Sequence, residues 1–461
     1  MTYTIMKKFY RKSVAVMFVM AVGVLAFAVS CTKSADLTAD VDTESVADSQ
    51  FSVSEEEAIA MLSKDLDAIY GESDQTRTAS ARRIKNIQGV KLNRAALSTR
   101  SESIPDDVDD LLYVVEFEDG QGSAVLGADK RVEPVFAILD KTVLTAQDIE
   151  NSIAADADRN DLTTFVASMI YNSAMSQVST YERVVLPPFD LKTTRYETRY
   201  DTLYYEKKMP LLDTKWDQDY PFNNNCNSYP AGCGVIAVAQ IMKYHQYPNP
   251  LVIDGQTFSW TNINNYTYPN ISWMDEDVAQ VGGFIRALGD KMGADYTSGN
   301  SGTSSGSAKT ALQNLGYTTS NLTQYSNTTT HNNTIINEVR ANRPVFFRGQ
   351  DGNDGHAWVI DGLLRYSVEE WLYEIETDPL KIAMNGTDIV NTTYVATTSV
   401  GRLHCNYGWN GLCDGYYSYG VFDTTTHLNQ EWVESSTGDV SGIRGYDFDI
   451  YLMYFTVNVE Q

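Results

Sequence analysis

The chain has 461 residues, too many for one ordinary hydrophobic core, so two or three domains are expected. A composition of 43% hydrophobic and 21% charged residues is that of a globular protein. With 60 acidic against 35 basic residues the formal net charge is −25, which repels phosphate backbones and anionic headgroups and excludes nucleic acid as a partner.

Lys7, Lys8, Arg11 and Lys12 make a positive flank, an apolar run from Val14 to Val29 follows, and Ser30-Cys31 closes it. Positive flank, short apolar core and small residues form the pattern of a secretory signal. The run is shorter than the roughly 20 residues a membrane-spanning helix needs. A cysteine directly after Ala28-Val29-Ser30 resembles a bacterial lipobox, so residues 1–31 are expected to be a lipoprotein-type signal peptide ending at a lipidated Cys31. An ordinary signal cleaved nearby is the alternative, and both imply an exported protein, either a cell-envelope lipoprotein or a secreted one. Lipid on Cys31 would be the chain's sole membrane attachment. Residues 32–50 are polar and acidic, as in a flexible tether.

Residues 51–205 are expected to form a small α+β domain and a linker. Ser54 with Glu57 offers a capping box, and Ile59, Leu62, Leu66 and Ile69 recur at helical spacing, predicting a helix over 54–70. A polar loop is predicted over 71–105. Strands are predicted over 111–117, 123–127 and 132–139, the first two joined by an Asp119-Gly120 turn, and a helix over 161–183. This block contains no histidine, which argues for a folding helper or inhibitor of the second half of the chain. Residues 184–210, with Leu186-Pro187-Pro188 and repeated Arg, Thr and Tyr, read as an exposed linker with cleavable bonds.

The chemistry lies in residues 206–461. Cys233 stands between Gly232 and Gly234, just ahead of a segment that reads as a buried helix. A thiol at a helix N-terminus feels the positive end of the macrodipole, which favours thiolate. A small buried apolar residue is the bland alternative. The spacing leaves Cys226–Cys233 and Cys405–Cys413 both open as disulfide pairs. Of the five histidines, His356 has the best context for a base, between the strands Val345-Phe346-Phe347 and Ala357-Trp358-Val359-Ile360. His404 is its rival, while His245 lies about 18 Å down the helix from the thiol. Asn406, followed by Tyr407 and Trp409, is placed to hydrogen-bond the far nitrogen of the base and shield that bond. Gln218 is a candidate oxyanion donor beside the nucleophile's own N–H.

Gln218, Gly232-Cys233, Ala239-Gln240-Ile241-Met242-Lys243-Tyr244-His245, Gly355-His356-Ala357, Val359-Ile360-Asp361-Gly362 and Asn406-Tyr407-Gly408-Trp409, in that order, resemble the streptopain family of secreted bacterial cysteine proteases. The similarity covers about 211–461, and Gly127-Ala128-Asp129-Lys130-Arg131 resembles part of that family's inhibitory prodomain. The resemblance implies an α+β fold with a papain-like catalytic domain and a prodomain ahead of it. It makes Cys233 the nucleophile, His356 the general base, Gln218 the oxyanion donor and Asn406 the residue orienting His356, with Trp409 or Tyr407 as shield. Protein or peptide substrates and the chain's own prodomain are the implied partners, and no metal or organic cofactor is implied. The sequence departs from the family pattern at Gly234, where Val is usual, and at Tyr407, where streptopain has Trp. It departs again at residues 363–401, an insertion in place of a short hairpin connection. The Gly/Ser-rich run Ser298–Ser307 resembles a loop bordering the family's substrate groove. The expected activity is that of a cysteine endopeptidase made as a zymogen. The alternatives are a Cys-His acyltransferase and a catalytically silent surface binding lipoprotein.

Overall fold

The computed structural model describes residues 51–70, 82–91, 110–153, 157–158, 161–180, 194–267, 270–271, 274–297, 301–351, 354–376, 382, 387, 389–422 and 452–459. The expected signal, Cys31 and tether lie outside the described residues, as do 184–193 of the expected linker and 298–300 of the Gly/Ser-rich run.

The first block opens with α1 (Glu55–Tyr70), whose capping box forms as predicted: Ser54 N–H reaches Glu57 Oε2 at 3.0 Å and Glu57 N–H reaches Ser54 Oγ at 3.2 Å. Its buried stripe of Ala58, Leu62 and Ile69 also contains Asp65. Strands β1 (Ile84–Lys91), β2 (Asp110–Phe117), β3 (Ser123–Gly127) and β4 (Val135–Leu139) follow as an antiparallel meander. β1 occupies part of the predicted loop. It is an edge strand with two register breaks, and Val90 is its one buried residue with a described environment, so it carries no period-two signal. β3 and β4 are buried throughout, because α1 covers one face of the meander while α2 (Ala146–Ser152) and α3 (Leu162–Thr180) cover the other.

The linker expectation needs correction over its described part: β5 (Thr194–Lys208) is a strand. Its alternation of Tyr and Thr with charged residues offers no apolar side that would announce a strand. Tyr205 Oη donates to the carbonyl of Ala68 at 2.5 Å and Lys207 Nζ to that of Ile69 at 2.7 Å, satisfying the open C-terminal end of α1.

Beyond β5 come α4 (Cys233–His245), α5 (Asp275–Met292), α6 (Ser305–Asn314) and α7 (Thr329–Arg340). The strands β6 (Val345–Asp351), β7 (Asp354–Glu376), β8 (Ile389–Asn406), β9 (Gly415–Ser418) and β10 (Met453–Asn458) complete the chain. The insertion at 363–401 lengthens β7 and β8 into an antiparallel ribbon, with β5 paired along β7 from Leu363 to Glu376.

One sheet runs β1-β2-β3-β4-β9-β8-β7-β6-β10, so the two expected domains share a sheet. The junction is β4 against β9, where Leu139 pairs with Gly415. A Cβ on Gly415 would lie 2.3 Å from the carbonyl oxygen of Ile138, so only glycine admits this approach. Helix α4 is buried on nearly every side, packed with α5 and α6 against the sheet face that carries Phe346, Ala357 and Val359. The opposite face, with Phe347, Trp358 and Leu403, is covered by α3 and α7. Among the described residues no helix is long and apolar enough to cross a membrane.

Candidate active site

Cys233 is the first residue of α4, and Gly232 before it takes φ 93°, a conformation open to glycine. The approach to this turn is pinned twice: Ala231 N–H donates to the carbonyl of Gln218 at 2.8 Å, and Tyr296 Oη donates to the carbonyl of Ala231 at 2.9 Å. A Cβ on Gly232 would lie 2.4 Å from Ser301 O, and one on Gly234 would lie 2.5 Å from Thr303 Oγ1. Gly234, where the resemblance anticipated Val, is therefore set by the loop 301–304 lying against the first turn of the helix. Gln218 is half-buried and is tied to the turn before Cys233 through its backbone.

The Cys233 sulfur lies within hydrogen-bond reach of the His356 side chain and the backbone N–H of Ala357. Burial pushes the thiol up, but the charge and hydrogen bond of His356, the Ala357 N–H and the charge of Arg348 outweigh it, so the thiol is lowered from 9.0 to about 7. His356 is buried on β7, and its Nε2 lies 2.9 Å from the carbonyl oxygen of Tyr407. A carbonyl only accepts, so Nε2 carries the proton and Nδ1 is left for the thiol. The His356 ring stacks on half-buried Trp409, with centroids 5.4 Å apart at 19°, and on buried Tyr407 at 5.8 Å and 25°. Both candidate shields flank the imidazole.

The described hydrogen bonds of Asn406 run to groups other than His356. Its Oδ1 accepts from Gln240 Nε2 at 3.0 Å and from Gly408 N–H at 3.1 Å, and its Nδ2 donates to the carbonyl of Thr214 at 2.8 Å. Thr214 Oγ1 in turn donates to Gln240 Oε1 at 2.6 Å. This buried network joins α4, the end of β8 and the segment leading to Gln218. It fills both acceptor positions of the Asn406 oxygen and uses one of its N–H donors, and the neighbouring carbonyl of Tyr407 meets His356. Sequence patterns name side chains, so a backbone acceptor leaves no trace in them.

His404, the rival base, is committed elsewhere. Its Nδ1 lies 2.7 Å from Asp361 Oδ1 and its Nε2 lies 3.4 Å from Asp140 Oδ2. Burial lowers this imidazole, but the two carboxylates more than offset that and raise it to about 9. Asp140 also faces Lys215 at 3.7 Å, and Lys215 bonds buried Asp414 at 2.7 Å. The four described cysteines, Cys226, Cys233, Cys405 and Cys413, are all free thiols, so neither disulfide left open by the spacing is formed.

A polarised thiol at a helix N-terminus, facing a histidine held on a strand of a mixed α/β fold, is the arrangement of a Cys-His nucleophile pair. Residues 216–417 match the model of the Peptidase C10 family, and the resemblance to the streptopain family holds over that stretch of the chain. The thiol protease/hemagglutinin PrtT of Porphyromonas gingivalis is 24% identical over 268 residues, which are 52% of this chain and 25% of PrtT. Streptopain of Streptococcus pyogenes is 23% identical over 245 residues, 47% of this chain and 50% of streptopain. The chain thus spans half the length of streptopain and a quarter of PrtT.

Proposed function

We propose that the chain is an exported cysteine endopeptidase made as a zymogen. Cys233 thiolate attacks the scissile carbonyl carbon, and the oxyanion is held by the Cys233 N–H and the Gln218 side-chain amide. His356 imidazolium gives its proton to the leaving amine, and the C–N bond breaks. Water, deprotonated by the now neutral His356, attacks the acyl-enzyme, and Cys233 leaves as thiolate. The observation carrying this reading is the contact of Cys233 with a His356 whose other nitrogen is fixed by Tyr407 beneath Trp409.

The test compares purified full-length wild type with Cys233→Ala, following chain mass and cleavage of a protein substrate. Wild type is expected to shed its N-terminal block and cleave the substrate, and the variant to do neither. Equal behaviour sinks the reading, and transfer products on added amines would point to acyl transfer. The intact mass of the uncleaved variant reads the lipid on Cys31, which the signal-like N-terminus leads us to propose.

The zymogen reading is supported by the shared sheet and by Asp140 of the N-terminal block, which sits between His404 and Lys215. Asp65 of α1 likewise pairs with buried Arg402. His404 is raised from 6.5 to about 9 in the folded chain, so its contribution is complete below about pH 6.5 and is lost as pH rises through about 9. In the Cys233→Ala background, Asp140→Asn should cost about 2 kcal/mol at pH 6 and flatten the loss of stability between pH 6.5 and 9. Denaturant melts across that range measure it. An unaltered pH profile would mean that Asp140 does not set the titration of His404.

A further inference from the structure

Arg348 belongs to no motif singled out in the sequence. It stands on β6 directly opposite Ala357 of β7, the residue whose N–H reaches the Cys233 sulfur. Residues paired across a ladder point to the same face, so Arg348 lies on the α4 side of the sheet. Its half-buried side chain sends Nη1 to the carbonyl of Thr303 at 2.5 Å. Thr303 is the residue whose hydroxyl crowds Gly234, and Ser301 of the same loop crowds Gly232. One guanidinium therefore ties the strand beside the base to the loop seated on the nucleophile's turn. The charged side chains that act most strongly on the Cys233 thiol are His356 from β7 and Arg348 from β6.

We propose that Arg348 is a positioning residue for Cys233, locking the 301–304 loop onto the first turn of α4 and placing a second positive charge beside the thiolate. This rests on Cys233 being the nucleophile, but its test does not require proteolysis. Arg is suited to the task because its fork can bond a carbonyl while its charge stays fixed at any working pH.

The experiment measures the pH dependence of Cys233 alkylation by iodoacetamide in the full chain, for wild type, Arg348→Lys, Arg348→Gln and Arg348→Met. Gln keeps a donor for Thr303 without the charge, whereas Lys keeps the charge without the fork. The alkylation midpoint should move up by about one pH unit in Arg348→Gln and Arg348→Met, so that the rate at pH 7 falls about fivefold. It should stay near the wild-type value in Arg348→Lys. Should Arg348→Met fail to fold, the contrast between Gln and Lys decides the matter. A Gln midpoint equal to wild type overturns the proposal, as does a Lys midpoint displaced as far as that of Gln. Loss of proteolysis without any shift in the midpoint counts against Arg348 and leaves the protease reading intact.

Discussion

A His356→Gln chain should fold normally and lose kcat/KM by roughly 10³-fold or more, the scale of a removed general acid–base group that also pairs with the nucleophile. Glutamine can still donate to the carbonyl of Tyr407, which the imidazole Nε2 meets at 2.9 Å, so the site need not collapse. It cannot carry a proton between the sulfur and the leaving amine. With the imidazolium gone, burial dominates the thiol, and the alkylation midpoint of Cys233 should rise well above about 7. His404→Gln makes the contrast, because that ring is buried between Asp361 and Asp140, and its loss should appear first as reduced stability. Peptidase assays and melts on the two variants separate the roles. An active His356→Gln enzyme beside a folded but inactive His404→Gln enzyme would reverse the assignment of the base.

Asn406→Ala should be the most destabilising single change at the site. It strips partners from Thr214 O, Gln240 Nε2 and Gly408 N–H, all in buried surroundings. Each orphaned group costs about 1–3 kcal/mol, so a total of about 3–9 kcal/mol and a fall in melting temperature of roughly 3–10 °C are expected. The alkylation midpoint of the surviving folded protein should stay close to wild type, since Asn406 makes no bond to His356. A stable variant with a strongly displaced midpoint would return Asn406 to the orienting role that the family resemblance assigned it.

These two residues show how far side-chain patterns reach. That Cys233 and His356 are candidates was legible because each is a reactive side chain in a distinctive setting, glycine-flanked before a helix or at the start of a strand. Asn406 was legible as a candidate, but the network that holds its amide was not. Which acceptor meets the imidazole depends on how β8 turns at Gly408, where φ is +65° and a Cβ would lie 2.8 Å from Ile236 Cγ2. Arg348 was not legible, since its relation to Cys233 arises from strand register and the path of a loop far away in sequence. β5 was misread because its Tyr, Thr and charged residues have the composition of a linker until the partner strand is known.

By itself the sequence determined the helix that begins at Cys233, the strands around His356, the capped α1 and the resemblance to the streptopain family. All of these rest on short-range periodicity, capping chemistry and local reactive groups, which are written residue by residue. Only the tertiary structure decided that both halves of the chain share one sheet through β4 and β9. It alone placed the Tyr407 carbonyl on the base and set Asp140 across His404 and Lys215. Such contacts join residues distant along the chain through backbone atoms and buried charges, and no local pattern encodes them before the chain has folded.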